Sequence, residues 1–235
     1  SSDKDLIIPN ILIKILSLVN LNNIVLIGFV YKIYISLLSV FCTNAINIYA
    51  GINGLEVGQS LVIAISMVLY NLVEVSNNTT DVNGNLNNNL ASLSILIFFI
   101  AVTVPLFIYN KYPSKCFIGD TFCYFAGITL ACAAIIGNFT ITILLFFIPQ
   151  IINFLLSVPQ LIGIIPCPRH RLPTYNAKTY LLHSKPDQLN LLNQGLRILG
   201  PTREQDLANI AIIFQGVCSI VGFAIKYYIF PILKN

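Results

Sequence analysis

The stretch FCTNAINIYAGINGLEVGQ (41–59) places Asn44, Asn47, Asn53, Glu56 and Gln59 beside Gly51 and Gly54. A carboxamide offers oxygen to a hard cation, or N–H to a carbonyl or phosphate. Asn44 and Asn47 stand three apart, so on a helix both amides share one face. Ile52-Asn53-Gly54 reads as a turn, because Asn and Gly both tolerate positive φ. Apolar segments flank the stretch, and polar groups in such a setting need partners or a water-filled cavity. Any one of these asparagines could instead bond a neighbouring helix or cap the next one. Several polar side chains beside two glycines favour a ligand site.

Two further segments carry chemistry. In KYPSKCFIGDTF (111–122), Asp120 falls where an apolar segment begins. It reads either as an N-cap, worth ~1 kcal/mol, or as a ligand to a divalent cation lying between it and a phosphate. Asp120 and the Asn44/Asn47 face could together hold Mg²⁺, with substrate oxygens and water completing the shell. Phe117 could stack on a base or pack at a membrane interface. In PCPRHRLP (166–173), prolines bracket Arg169, His170 and Arg171 and stiffen the loop. Arginine forks suit phosphate oxygens; a basic cluster on lipid headgroups is the equal alternative.

The elements that position these residues are apolar helices. The chain is 56% hydrophobic and 9% charged, with a mean hydropathy of +0.81, against about a quarter charged in soluble domains. The expected fold is an all-α integral membrane protein with six transmembrane helices at 23–49, 58–75, 90–109, 121–138, 139–165 and 206–230. Pro149 and Pro159 are expected to kink the fifth. Residues 1–22 read as a luminal or interfacial segment. The net charge of +4 is diffuse, with no basic run among aromatics, which excludes nucleic acid as a partner. The six cysteines lack a CxxC pair and the two histidines are far from a zinc cage, so reduced structural thiols are expected.

Alternating spans put 44–57, 110–120 and 166–205 on one side, with Lys111, Lys115, Arg169, Arg171, Lys178, Lys185, Arg197 and Arg203. The opposite loops, 76–89 and 137–140, hold no Lys or Arg. The positive-inside rule makes the first side cytosolic. The sequons at Asn77, Asn78 and Asn138 all fall on the other side and agree with this. Lys178, Lys185, Arg197 and Arg203 are spaced out and read as topogenic. The three polar segments are expected to meet on the cytosolic face.

Taken together and in this order, FCTNAINIYAGINGLEVGQS, FIGDTFCYFAG and IIPCPRHRLP resemble the polyprenyl-phosphate sugar-1-phosphate transferases. The likeness is closest to the eukaryotic members that act on dolichyl phosphate, and runs from about residue 25 to the C-terminus. It implies transfer of N-acetylglucosamine-1-phosphate from UDP-GlcNAc to dolichyl phosphate in the endoplasmic reticulum membrane, with loss of UMP, as the first step of lipid-linked oligosaccharide synthesis for N-glycosylation. By motif match it implies Asn47 and Asp120 as Mg²⁺ ligands, with Gly51, Asn53 and Phe117 around the uracil. Arg169 falls on the pyrophosphate, His170 and Arg171 on the GlcNAc, and Asn44 near the acceptor phosphate. The catalytic set is then Asn47, Asp120 and Arg169, and a homodimer is implied.

Members of that family have ten transmembrane helices, and residues 23–235 correspond to the C-terminal catalytic region with its cytosolic loop 166–205. Their paired aspartates and a nearby lysine belong to the N-terminal half, and no Asp-Asp pair occurs here. The chain starts at Ser1 and residues 1–14 do not form a signal peptide, which reads as an excerpt of a longer frame or a processed product. It is therefore expected to be catalytically incomplete without N-terminal helices supplied in cis or in trans. A UDP-sugar-binding or scaffold fragment without turnover is the alternative. Transport ranks lower, because the ionisable groups sit at one edge of the spans and not at mid-membrane.

Overall fold

The computed structural model describes residues 24–77, 85–166, 168 and 171–234. The segment 1–22, residues 78–84 of the Asn-rich loop, Cys167, Arg169 and His170 lie outside the described residues. Long helices are α1 (Ile24–Ile48), α2 (Leu55–Asn77), α3 (Asn85–Asn110), α4 (Gly119–Ile136) and α8 (Glu204–Ala224). Each is long and apolar enough to cross a membrane. A pair of shorter helices, α5 (Thr140–Phe146) and α6 (Ile148–Leu161), bent by 73°, is either a broken sixth span or a re-entrant loop. This is a multi-pass, all-α membrane bundle, as the composition predicts. Its helices pack in a ring, α1–α4–α3–α2–α8–α6 and back to α1, with α2 the most enclosed. Apolar side chains such as Leu37, Phe98 and Ile213 remain exposed on its outside, facing where lipid lies.

Close approach of α1 and α4 depends on one glycine. A Cβ at Gly127 would lie 2.4 Å from the Thr43 Cα and 2.5 Å from its nitrogen. Only hydrogen fits there, which is how small residues let membrane helices pack backbone to backbone. Below this seam Cys42, Ile46, Leu130, Ala131 and Ala134 belong to the main apolar core.

The bent pair differs from the single kinked helix expected over 139–165: it is two helices joined at Phe147, ending at Leu161. Pro149 has no N–H, and in a continuous helix its ring would press on the carbonyl of Leu145. The chain turns just before it, with Pro149 in the first turn of α6. Pro159 lies inside the end of α6 without dividing it. A break within an apolar bundle leaves helix-end carbonyls that need donors. Gln215 Nε2 donates to the carbonyl of Phe146 at 2.8 Å. Gln150 Nε2 donates to Gln215 Oε1 and to Gln59 Oε1, both at 2.7 Å. Gln59 Nε2 in turn reaches the carbonyl of Tyr49 at 2.7 Å. All three glutamines are fully buried. This amide chain ties the break to the end of α1 through α6, α8 and α2.

The last crossing is also longer than the expected 206–230. A π-helical turn (Ile225–Ile229) and α9 (Phe230–Lys234) follow α8. Pro231, in α9, cannot donate to the carbonyl of Tyr227 inside that turn, and lost i→i−4 bonds of this kind accompany local changes of helix pitch. The segment 166–205 holds more than topogenic charge. It contains an antiparallel hairpin, β1 (Thr174–Asn176) with β2 (Leu181–His183), in register Thr174 to His183 and Asn176 to Leu181. Helix α7 (Leu191–Leu199) follows, started by Asn190, whose side chain accepts from the Asn193 N–H.

Replacing Gln215 with Leu keeps the side chain's bulk and removes both of its bonds. It should cost about 1–3 kcal/mol, visible as a lower unfolding midpoint of the detergent-solubilised protein.

Candidate active site

Between α1 and α2 the chain reverses through Tyr49–Gly54. Gly51 and Gly54 take positive φ of 109° and 85°, as the Asn-Gly reading expects of a turn here. Tyr49 N still donates to the α1 carbonyl of Ala45 at 3.1 Å, but the N–H groups of Gly51, Asn53 and Gly54 are accepted by three side chains. Glu56 Oε1 accepts from Gly51 N at 2.8 Å. Glu204 Oε1, at the start of α8, accepts from Asn53 N at 2.8 Å. Asn110 Oδ1, at the end of α3, accepts from Gly54 N at 3.1 Å.

The third segment reaches the same turn. A Cβ at Gly51 would lie 2.1 Å from Leu172 Cδ2, so the residue after Arg171 lies against the glycine. The carbonyl of Arg171 accepts from Asn190 Nδ2 at 2.5 Å and from Asn193 Nδ2 at 3.5 Å. Its guanidinium Nη1 is buried without a partner among the described residues. Beneath these contacts a second apolar cluster joins Tyr49, Ile52 and Leu55 to Leu182, Leu192, Leu196 and Leu207. The hairpin and α7 therefore pack under the turn and hold Arg171 and Leu172 beside it. Arg197, read from the sequence as topogenic, donates to the carbonyl of Pro186 at 2.6 Å and so fastens the end of α7.

The α1–α4 seam brings Asn47 and Asp120 to the same mouth. From Thr43, Asn47 lies one turn further along α1, about 6 Å. From Gly127, Asp120 lies two turns back along α4, about 10 Å in the same direction because the helices run antiparallel. Both continue the facing stripes that meet at Gly127. Asp120 is not the N-cap: Ile118 occupies that position without a side-chain bond, and Asp120 stands exposed in the first turn. It makes no hydrogen bond with another described residue, so both oxygens are open to a ligand. Asn47 is half-buried, whereas Asn44 is exposed and donates Nδ2 back to the carbonyl of Val40 at 2.8 Å. The two amides thus differ in surroundings, although they share a helix face by spacing.

Phe117 is 94% exposed, its ring lying over Gly119. A cavity of about 250 Å³ opens between the turn, the end of α3 and the start of α8, lined by Asn53, Gly54, Lys111, Tyr112, Gln205 and Asn209. Carboxylates gather here: Cys123 lies within electrostatic range of Glu56 and Asp120, and Glu56 within range of Glu204. Glu56 and Glu204 are committed to the turn; Asp120 is not. Among the described residues no group of three or more His, Cys, Asp or Glu could hold a metal. One carboxylate and one amide suit magnesium, which keeps water and takes phosphate oxygens from its substrate, and do not suit a zinc cage.

Of the residues singled out from sequence, Asn47, Gly51, Asn53, Phe117, Asp120 and Arg171 come to one end of the bundle, with Asn44 at its edge. Arg169 and His170 lie outside the described residues. Asn110, Asn190, Asn193 and Glu204 were not visible as site residues. Their partners are distant in the chain, and only the pairing of Asn190 with the N–H three residues on could have been read as a helix start.

A multi-pass helical membrane protein with polar loops gathered at one end is the class that this fold and site define. Residues 6–138 match the family model for glycosyl transferase family 4, and the chain belongs to that family. It is similar to proteins named UDP-N-acetylglucosamine–dolichyl-phosphate N-acetylglucosaminephosphotransferase. With that of Dictyostelium discoideum it shares 49% identity over 210 residues, covering 86% of this chain and 52% of the relative. With that of Leishmania amazonensis it shares 41% over 226 residues, 90% of this chain and 48% of the relative. With that of Saccharomyces cerevisiae the identity is 44% over 164 residues, 70% and 36%. The chain spans about half the length, or less, of these curated relatives.

Replacing Gly51 with Ala would force a side chain into the left-handed region and against Leu172. With ~1–2 kcal/mol of backbone strain, amide exchange over residues 171–183 should quicken by about tenfold in hydrogen–deuterium exchange mass spectrometry.

Proposed function

We propose that this chain carries the C-terminal part of the site of a UDP-GlcNAc–dolichyl-phosphate GlcNAc-1-phosphate transferase. The observation that carries the reading is the joining of three segments distant in sequence, 49–54, 110–120 and 171–172, around one turn at one end of the bundle. Relatives with the printed name of that activity support it.

In this reading an oxygen of the lipid phosphate attacks the β-phosphorus of UDP-GlcNAc. A new P–O bond forms, the bond from the β-phosphorus to the bridging oxygen breaks, and UMP leaves with that oxygen. A phosphate monoester is already ionised near neutral pH, so the reaction asks for alignment and charge neutralisation and not for a strong base. Asn47 and Asp120 would hold Mg²⁺, which when bound supplies positive charge to the diphosphate. Arg169 would pair with the pyrophosphate, and His170 and Arg171 would take the sugar. The unpartnered Nη1 of Arg171 fits that role, since a buried guanidinium N–H without an acceptor is costly. Gly51, Asn53 and Phe117 would hold the uracil, with Asn44 near the acceptor phosphate.

The positive-inside reading orients this end of the bundle to the cytosol, in the endoplasmic reticulum membrane. Residues 23–235 form the catalytic region, the rest of the site comes from N-terminal helices in cis or in trans, and the working form is a homodimer. A UDP-sugar-binding protein without turnover is the competing outcome.

The test is release of UMP from UDP-GlcNAc and dolichyl phosphate by the purified chain, alone and with the N-terminal half of a relative supplied. The pair should turn over only with Mg²⁺, and Asp120→Asn should lower the rate by at least about 100-fold. UDP-GlcNAc binding without UMP release, even in the pair, would establish the competing outcome. No binding at all would overturn the reading.

A further inference from the structure

We propose that Asn110 is a positioning residue for nucleobase selection, a side-chain joint between the turn at Gly51–Gly54 and the loop that carries Phe117. The inference rests on the reading that these two elements hold the uracil. Asn110 is the last residue of α3, only 3% exposed, and its planar amide bonds in both directions. Its Oδ1 accepts from Gly54 N at 3.1 Å, and its Nδ2 donates to the carbonyl of Cys116 at 3.0 Å. That carbonyl belongs to the peptide linking Cys116 to Phe117, and a peptide is planar. Fixing the carbonyl therefore fixes the direction from which the Phe117 backbone departs.

The loop is also tied to α3 by Lys115 N, which donates to the Tyr109 carbonyl at 2.7 Å, and Lys111 packs against Gly54, but neither contact reaches the Cys116 carbonyl that precedes Phe117. The Phe117 ring is 94% exposed, and its near neighbour is Gly119, at φ 60°, where a Cβ would lie 3.3 Å from the ring. Ser114 Oγ also donates to the Cys116 carbonyl at 2.7 Å, but Ser114 belongs to the same loop and cannot place it against the turn. Glu56 and Glu204 fix the turn by its other N–H groups, and neither touches the Phe117 loop in these bonds. Asn110 alone among these residues bonds to both. The role requires a side chain that presents an acceptor and a donor at two points of one planar group, which Asn and Gln do and Asp and Leu do not.

The consequence is selectivity. A base held between a turn and an aromatic ring is discriminated by their separation, whereas the phosphates are held by other residues. Asn110→Ala and Asn110→Asp test this by isothermal titration calorimetry of UMP and AMP against the purified chain in detergent. The two nucleotides carry the same phosphate, so the charge of the Asp variant cancels in their ratio. Asn110→Ala should weaken UMP by about tenfold while changing AMP by less than twofold, which removes the preference for UMP. Asn110→Asp keeps the Gly54 bond and loses the Cys116 bond, and should lose part of the preference. It also decides the matter if the Ala variant does not fold. A UMP-to-AMP ratio unchanged in both, or equal weakening of both nucleotides, would overturn the proposal and leave Asn110 a structural residue. A wild-type chain that binds UMP no better than AMP would instead overturn the uracil assignment beneath it.

Discussion

Where the chain reverses between Ile48 and Leu55, at the rim of an apolar bundle, the N–H groups of Gly51, Asn53 and Gly54 find side-chain acceptors, Gly54 being buried, Asn53 half-buried and Gly51 exposed. Buried donors without acceptors are rare because each costs as much as a lost hydrogen bond. The rest of this end of the molecule is arranged around that demand. One acceptor comes from the first turn of α2, one from the end of α3 and one from the start of α8. Satisfying the turn therefore draws three helix ends to one place. A reversal met wholly by water could sit anywhere on the surface; this one fixes its neighbours.

A similar demand operates deeper in the bundle. Pro149 parts α5 from α6, and the carbonyl released at Phe146 is met by Gln215, which is itself bonded to Gln150 and through it to Gln59. Gln59 returns to the carbonyl of Tyr49, at the foot of the turn. The break and the turn are thus two ends of one chain of amides. Networks of this kind in a low-dielectric interior stiffen as their groups are bonded, and here Gln150 Oε1 is the one glutamine oxygen of the three left without a partner among the described residues. The bent pair, which looks like a defect, supplies part of the frame on which the mouth is built.

The mouth separates its carboxylates by task. Glu56 and Glu204 are held by backbone donors, while Asp120 stands free at the head of α4 across the Gly127 seam from α1. The open carboxylate and the committed ones therefore stand apart by partner: Asp120 without a hydrogen bond to another described residue, Glu56 and Glu204 accepting from the turn. The hairpin and α7, held by the cluster of Tyr49, Ile52, Leu182, Leu192 and Leu196, bring Arg171 to the same place without crossing the bundle. Rigid apolar packing below and charged loops above are the arrangement that positioning chemistry requires.

Much of this was legible in residue types. Continuous apolar runs marked the five long spanning helices and the bent pair between α4 and the loop 166–205, because lipid tolerates no unpaired backbone and selects helices by length and hydropathy alone. The spacing of Asn, Gly, Asp and Arg marked the three polar segments, since their chemistry is local to each motif. Pro149 signalled a bend, though not that the helix would part at Phe147, for that depends on whether a donor such as Gln215 waits opposite. Asn110, Glu204 and Asn190 look like ordinary surface polar residues in the linear chain. Their decisive partners include ones 19 residues away, for Asn190 and Arg171, 56 away, for Asn110 and Gly54, and 151 away, for Glu204 and Asn53. The sequence determined where the long apolar helices lie and the chemistry available at their ends. Only the tertiary structure decided which of those ends meet, because hydrogen bonds between distant segments depend on packing that no local pattern encodes.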